Sequence, residues 1–338
     1  MALPNSGPLS LDQIHVEAGG NSGSSASIND ADIRGMIGKS DGAQSSFSDF
    51  YGASSSVTIN QTISNSTNNY NMASNRGPTY SAGVTAYTLT INPGVTVGTN
   101  STSSTSLQTG SPWSSGDTII VENYGSVKGG GGPGGAGGSI STPQNLSGPN
   151  PQHITPGVAG TTVNGAAFNA AYPVTFKNFG SIYGGGGGGG GGGSRRFAKG
   201  GGKNTNLYQV GKAGGGGGGA GVTAGTGGPT TNAGEPLNNA TGTAGSSGTA
   251  NAGGAGGTGA MQPVNQFDNM ETFGQTGGSG GGLGSDGAAG NVNPFGNAAG
   301  DHQNVFSNAA PGGTRGFITS NSSSITFNPS GTQGGRTS

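Results

Sequence analysis

Cysteine is absent from the 338-residue chain, and charged side chains are scarce. Without thiols, neither a disulfide nor a thiolate metal site can hold the chain together, and cysteine usage leaves the redox compartment undetermined. Twelve basic and 13 acidic residues give a net charge of −1. This balance excludes the many Lys and Arg contacts to phosphate on which nucleic-acid binding depends, so we expect no nucleic-acid partner.

Long apolar runs are also missing. No stretch of about 18 apolar residues occurs, and the first residues contain neither the basic nor the apolar part of a signal peptide. We expect a chain that is made in the cytoplasm and spans no membrane. Hydrophobic residues make up only 28% of the chain, against 78 glycines and 17 prolines. This composition does not favour the core of an ordinary globular enzyme.

Residues 1–54 have the signals of three short helices. Ser10 and Gln13 have capping-box spacing, Asn29 is the predicted N-cap of a second helix, and Ser46 with Asp49 repeats the capping pattern. Apolar residues follow each cap at helical or staple spacing: Leu11, Ile14, Ile28, Ile33, Phe50 and Tyr51. We therefore predict a small, separate helical module.

Residues 57–128 are rich in Ser, Thr and Asn and contain β-branched runs. Residues 57–59, 87–91 and 117–121 are typical of short strands, and turn signals such as Asn92-Pro93-Gly94 separate them. This spacing predicts a β-rich domain, either a small sandwich or a few solenoid rungs.

One internal repeat is clear. Residues 118–139 read TIIVENYGSVKGGGGPGGAGGS, and 55 residues later 173–194 read PVTFKNFGSIYGGGGGGGGGGS. Both copies share an apolar pair, a charged residue, Asn, an aromatic residue, Gly-Ser and a glycine tract. We infer that the strand and its glycine tract form one structural unit.

Residues 129–316 contain 60 glycines, gathered into tracts at 129–138, 184–193, 200–202, 214–219, 253–259 and 277–287. The spacing lacks the strict Gly-X-Y period, which excludes collagen. Because apolar side chains are too few to fold this region, it is either a flexible linker or a set of extended threefold helices bonded laterally. The passage from strand to tract favours the second alternative.

The predicted fold is therefore mostly irregular and β. It comprises a small N-terminal helical module (1–54), short β-strands (57–128), a polyglycine II bundle with inserted loops (129–316), and a C-terminal strand and tail (317–338).

Residues suited to catalysis are few. His15, His153 and His302 lie far apart, and none has a second histidine at the spacing of a metal ligand. GxGxxG matches within polyglycine lack the strand–helix context of a dinucleotide site. We predict no enzyme activity, no metal site and no cofactor.

Basic residues cluster after the longest glycine tract. Arg195, Arg196 and Lys199 accompany Phe197, and Tyr208 follows. Guanidinium groups bind phosphate or carboxylate and aromatic faces stack on sugars, so these five are candidates for receptor contact. The alternative is a solvated loop that keeps the glycine bundle soluble.

Residues 1–54 resemble the N-terminal segment of many bacteriophage tail structural proteins. The match consists of Pro4–Pro8, Leu9–Ile14, Ile28–Ala31 and Ser48–Gly52. The strand–polyglycine units resemble those of tail fibres and of tail-tip adhesins of the polyglycine-sandwich type.

This resemblance implies a structural protein of the phage tail that attaches to other tail proteins through residues 1–54. It also implies contact with a host-surface glycan or protein through loops that link the tracts. Analogy with fibres suggests a homotrimer in the virion tail. If the tracts reverse direction at each end, inserts alternate between two ends and about half can meet a receptor at once.

Two other functions fit the same composition. One is a capsid head fibre or decoration protein; the other is an ice- or surface-binding protein, since a glycine bundle presents a flat face of Thr and Ala. The sequence also leaves open whether 129–316 is a receptor-binding tip or part of a rigid shaft.

Overall fold

The computed structural model describes residues 3–40, 42–53, 55, 57–141, 153–199, 211–230, 242–262, 272–291, 302–306 and 308–337. The helices are Leu11–Glu17 (α1), Ala31–Gly35 (α2) and Met72–Asn75 (α3), with 3-10 helices at Phe47–Phe50 and Ser322–Ser324. The strands that build the main sheets are β1 (Val57–Ile63), β2 (Thr67–Asn68), β3 (Tyr70–Asn71), β4 (Thr85–Ile91), β5 (Thr96–Gly98), β6 (Leu107–Gln108), β7 (Thr118–Asn123), β8 (Ser126–Lys128), β11 (Ala166–Asn169), β12 (Val174–Asn178), β13 (Ser181–Tyr183), β19 (Phe317–Ser320), β20 (Ile325–Pro329), β21 (Thr332–Gly334) and β22 (Arg336–Thr337). The remaining strands are β9 (Ser139–Ser141), β10 (His153–Thr155), β14 (Ser194–Lys199), β15 (Gly211–Lys212), β16 (Met261–Gln262), β17 (Thr272–Gly274) and β18 (His302–Phe306).

The N-terminal module has a hydrophobic cluster of its own. Leu3, Ile14, Ile33 and Phe50 are buried there. The capping boxes predicted at Ser10 and at Ser46 are both present. The predicted cap at Asn29 is wrong: α2 has Asp30 as its N-cap, and the Asp30 carboxylate accepts from the Ser27 amide at 2.8 Å.

Five turns of a three-sided parallel solenoid form the β structure. One sheet has the order β1-β4-β7-β12-β20, the second β2-β5-β8-β13-β21 and the third β3-β6-β11-β19-β22. All pairings within them are parallel, and each turn supplies one strand to each sheet. Of the two predicted β arrangements, the chain therefore adopts solenoid rungs. Because β11–β13 and β19–β22 complete the same sheets, this β structure continues past residue 128.

The solenoid interior is filled by alternating inward side chains. Strand β4 alternates buried with half-buried residues along its whole length, as expected for a strand with one face on a core. Tyr87, Leu89, Phe168 and Phe176 are among the largest fully buried side chains. Their burial stabilises the turns against one another.

The two copies of the 55-residue repeat lie on neighbouring turns. Val121 pairs with Phe176 and Asn123 with Asn178, so equivalent positions are directly stacked. Asn123 donates from Nδ2 to Asn178 Oδ1 at 2.7 Å. A Cβ at Gly180 would lie 2.1 Å from the carbonyl oxygen of Gly125. Glycine at this position is therefore required by the close approach of two backbones.

The glycine-rich residues are two excursions from this solenoid. The first leaves the third turn after β8 and returns at β11; the second leaves the fourth turn after β13 and returns at β19. In the described part they contain ten extended segments: 129–138, 157–163, 184–193, 213–221, 225–230, 242–249, 252–260, 275–282, 285–291 and 308–316. The predicted tract 200–202 lies outside the described residues.

Backbone hydrogen bonds join neighbouring segments laterally, and every third residue of a segment bonds to the same neighbour. Segment 184–193 donates backbone N–H groups to three neighbouring segments. Gly186, Gly189 and Gly192 donate to the carbonyls of Ala220, Gly217 and Gly214. Gly187 and Gly190 donate to those of Ser285 and Ala288, and Gly188 and Gly191 to those of Thr161 and Val158. Their N···O distances are 2.8 to 3.1 Å. Its carbonyls accept in turn from segments 129–138, 275–282 and 308–316, so this segment is bonded on all sides.

Close packing excludes side chains from the centre. A Cβ at Gly188 would lie 1.8 Å from the carbonyl oxygen of Pro133, and one at Gly216 would lie 1.9 Å from that of Gly189. The obstructing atoms are backbone and cannot rotate away. Glycine is therefore a steric requirement of these segments rather than a source of flexibility.

Candidate functional site

Two small antiparallel sheets form at the end of the glycine segments away from the solenoid. One has the order β10-β9-β15 and the other β16-β17-β14-β18. Strand β14 follows directly on segment 184–193, and β9 follows on segment 129–138. The segments thus pass into strands at this end, which we call the distal end.

The predicted receptor-contact residues map to this distal end. Arg195, Arg196, Phe197 and Lys199 belong to β14, which lies between β17 and β18. Their backbone is a paired strand rather than the loop we expected. Tyr208 lies outside the described residues. The assignment of these residues to receptor binding stays a prediction.

Chain reversals at the two ends of the glycine segments differ in length. The described residues that flank 142–152, 200–210, 231–241, 263–271 and 292–301 all lie at the distal end. At the solenoid end, segments are joined by short turns near residues 222–224, 250–251 and 283–284. Short turns therefore lie at the solenoid end, and the described residues that flank the five longer connections lie at the distal end.

Side chains, as well as chain continuity, fix the glycine segments at their solenoid end. Lys128 donates from Nζ to Asn251 Oδ1 at 2.9 Å, and the Thr223 hydroxyl donates to the Thr99 carbonyl at 2.8 Å. Arg336 donates to the Val163 carbonyl at 2.8 Å. Each contact joins a glycine segment or its turn to a solenoid turn, which holds the glycine segments against the solenoid.

Most of the apolar residues predicted in the N-terminal module form its interior. Ile14, Ile33 and Phe50 are fully buried, and Leu11 and Ile28 pack against them. Tyr51 is 38% exposed and donates its hydroxyl to the Gly7 carbonyl at 2.6 Å. The attachment role of these residues stays a prediction.

Two exposed apolar residues of the module were not among the sequence candidates. Val16 and Phe47 are 45% and 43% exposed. Val16 lies on α1 off the Leu11–Ile14 face, and that departure from the helical pattern was the available signal. Together with Tyr51 they supply the module with outward apolar side chains.

Hydrogen bonds stabilise the ionised form of two carboxylates of this module, Asp49 and Asp12. Lys39 Nζ lies 2.7 Å from Asp49 Oδ2, and this contact, followed by the Ser46 amide, lowers the pKa of Asp49. The Gly23 amide and the Ser22 hydroxyl lower the pKa of Asp12. These contacts fix the loops between helices.

The histidines and carboxylates of the described residues do not converge on a metal centre. This part of the chain holds no group of three or more His, Asp or Glu side chains suited to a metal ion. His15 Nε2 is hydrogen-bonded to the Ser24 hydroxyl at 2.9 Å. No helix within the described ranges is long and apolar enough to cross a membrane.

Comparison with known proteins decides the family. The model of the phage tail fibre adhesin Gp38 family matches residues 55–338, which includes the whole solenoid and every glycine segment. The chain belongs to this family. It is therefore a tail fibre adhesin of a bacteriophage, a role that agrees with the resemblance found in the sequence.

One solved structure that this adhesin resembles is the gp37–gp38 adhesin tip complex of the bacteriophage S16 long tail fibre. The identity is 17% and the TM-score 0.41, and the alignment covers 98% of this chain and 99% of the other. No curated protein matches the adhesin.

Proposed function

We propose that this adhesin sits at the end of a tail fibre, attaches through residues 1–54, and presents its distal end to the host surface by binding rather than catalysis. The observation that carries the proposal is that the described residues on either side of 142–152, 200–210, 231–241, 263–271 and 292–301, together with β14, all lie at one end of the glycine segments. Family membership favours the tail over a capsid fibre and over ice binding.

The rigid element in this proposal is a polyglycine II bundle. A threefold helix of ~3.1 Å rise has no internal hydrogen bonds, so its backbone groups bond laterally to neighbouring chains. Because it has three residues per turn, the bonds to any one neighbour recur at every third residue, as they do in these segments. At that rise the ten residues 184–193 extend ~31 Å. A bundle of such helices places the receptor-contact residues well clear of the solenoid.

Receptor binding is assigned to the distal end, with Arg195, Arg196, Phe197, Lys199 and Tyr208 as first candidates. Cationic and aromatic side chains suit an anionic glycan, or a protein surface of matching charge. Exposed charge contacts are screened over ~8–10 Å at physiological salt. Adsorption through these residues is therefore expected to weaken as salt rises.

The test is adsorption by virions that carry Arg195→Ser, Arg196→Ser and Lys199→Ser together. We expect slower adsorption to host cells at low salt, with a smaller difference from wild type at high salt. Arg315→Ser is the control, since it removes a cation that lies beside Asp286 and Gly284 near the solenoid end. Normal adsorption by assembled virions that carry the triple variant would mean that the basic residues keep the protein soluble and do not bind the receptor.

Attachment is tested separately on the N-terminal module. Val16→Ser with Phe47→Ser removes the outward apolar groups but leaves the cluster around Ile14 and Phe50 intact. We expect virions without bound adhesin, measured by immunoblot of purified particles. Val158→Ser, which alters a residue that is 52% exposed on the bundle, is the control. Equal incorporation of both variants would place attachment elsewhere.

A further inference from the structure

A second surface lies on the side of the solenoid, far from the distal end in the chain's topology. Along β7, β12 and β20 the outward residues of the third, fourth and fifth turns are in register. They form a strip, which we call the lateral strip: Thr118, Ile120, Glu122, Tyr124, Thr175, Lys177, Phe179, Thr326, Asn328 and Ser330. Six residues of strand rise make this strip ~20 Å long.

One end of the lateral strip is a groove. Its volume is about 590 Å³, and it opens between the start of β7, β12 and β20 and the 3-10 helix at Ser322–Ser324. The lining mixes hydroxyl groups, from Thr118, Thr175, Ser324 and Thr326, with apolar surface from Ile120 and Pro173. Asp117 also lines the groove, and its carboxylate is occupied by the Tyr80 hydroxyl and three backbone amides. This mixture suits a ligand that offers both hydroxyls and C–H faces.

The other end of the lateral strip is an exposed aromatic stack. The rings of Tyr124 and Phe179 are 4.9 Å apart and 14° from parallel, and the residues are 42% and 48% exposed. The next turn has Ser330 at the equivalent position, so no third aromatic ring extends the stack on that side. Two stacked rings on neighbouring solenoid turns form a pre-organised platform.

Between groove and platform the lateral strip carries opposite charges that balance. Lys177 Nζ lies 2.9 Å from Glu122 Oε1, and their side chains are 34% and 27% exposed. Asn328 follows in register with Lys177. The pair offers one set of donors and one set of acceptors with no net charge, which matches a neutral polyhydroxyl ligand and disfavours phosphate or nucleic acid.

We propose that the lateral strip binds a neutral oligosaccharide, with one pyranose ring stacked on Phe179 and the hydroxyls of further sugars in the Thr-lined groove. This inference does not rest on the proposed receptor contact at the distal end. A strip ~20 Å long with its two features at opposite ends selects an extended saccharide of several units over a single sugar.

The experiment measures binding of cellotetraose, laminaritetraose and maltotetraose to the purified full chain by saturation-transfer NMR and titration. These tetrasaccharides are neutral and differ only in linkage, so a preference among them reports shape. We expect at least one to bind. Phe179→Ala should weaken it by about fivefold, within the range that follows from one aromatic contact.

Three controls separate the possible outcomes. Val158→Ala removes an equally exposed apolar residue on the bundle and should leave binding unchanged. Thr175→Val keeps the shape of the groove but removes a hydroxyl, and should weaken binding. Thermal unfolding of each variant shows whether the solenoid is intact.

Failure to bind any of the three saccharides, or binding that Phe179→Ala leaves unchanged, would overturn the inference. So would self-association that depends on Phe179, measured by sedimentation, because the strip would then be a contact between two copies.

Discussion

Gly188 illustrates what the glycine segments require of a single residue. A methyl group there would overlap the Pro133 carbonyl, whereas one at Gly282 would meet no atom within 4 Å. We expect Gly188→Ala to lower the free energy of unfolding by about 3 kcal/mol, the upper part of the range for overpacking, because the obstructing atoms are backbone. Gly282→Ala should change it by less than about 0.5 kcal/mol. Urea unfolding of both variants measures the difference, and equal stabilities would contradict close packing at Gly188.

Asp117 has a different role, since it ties together the loops at one corner of the solenoid. Its carboxylate accepts from the Tyr80 hydroxyl at 2.7 Å and from the amides of Ser114, Gly83 and Thr85 at 2.8, 2.8 and 3.1 Å. Burial raises the pKa of Asp117, but these hydrogen bonds outweigh it and the net pKa is lowered. The ionised form is therefore the one that the fold stabilises.

Stability should consequently depend on pH through Asp117. Because its pKa is lower in the folded chain, its contribution is complete above the unfolded value of about 3.9 and is lost as pH falls through the folded value. We expect Asp117→Asn to cost about 2 kcal/mol near pH 7. In urea titrations, the difference in free energy of unfolding between wild type and Asp117→Asn should become smaller below pH 4. A difference that does not change with pH would show that these donors do not stabilise the negative charge of Asp117.

At the scale of the element, the repeated turn is stabilised by an internal amide ladder. Asn123 donates to Asn178, and Asn178 donates to the Thr332 carbonyl at 3.3 Å. Both Asn side chains are fully buried. We expect Asn178→Ala to cost about 1–3 kcal/mol, since it leaves the Asn123 amide buried with one partner fewer.

The outward ion pair on the same two turns supplies the matched comparison. Lys177→Gln removes the charge beside Glu122 where both side chains are partly exposed, and should cost at most about 1 kcal/mol. Chemical denaturation of Asn178→Ala and Lys177→Gln measures how much the Asn ladder and the ion pair each contribute to the free energy of unfolding. A larger loss for Lys177→Gln would mean that the outer face, and not the Asn ladder, joins the turns.

The sequence predicted these elements better than their connections. The 55-residue offset between the two repeat copies is the same offset that joins Asn123 to Asn178, so the repeat identified which strands resemble each other. Caps at Ser10 and Ser46 were local patterns and were correct. Asn29 was not the cap because Asp30, one residue later, has the extended backbone of an N-cap.

Long-range pairing could not be predicted in the same way. Strands β8 and β11 belong to one solenoid turn although the first glycine excursion separates them, and β13 and β19 are separated by the second. Short strands such as β11 carry too little pattern to specify partners at that distance. Val16 and Phe47 were missed for a related reason, because the pattern identifies the buried face and not the outward one.

The whole molecule combines two ways of stabilising a chain. The solenoid buries a hydrophobic cluster that includes Tyr87, Leu89 and Phe176. The glycine segments are instead joined by backbone hydrogen bonds, and they pack closely because glycine has no side chain. Because each excursion starts and ends on the same turn, and these two turns are adjacent, the solenoid fixes where the glycine segments begin.

Amide hydrogen exchange of residues 184–193 tests most directly whether the glycine segments form a rigid bundle. The amides of Gly186, Gly189 and Gly192 are buried and donate at 2.8 to 3.0 Å. NMR exchange on the full chain should therefore find them protected as strongly as the core amides of β7, with exchange only through opening of the bundle. Exchange at the rate of an unstructured glycine chain, while β7 stays protected, would contradict a rigid bundle and leave 129–316 as a linker.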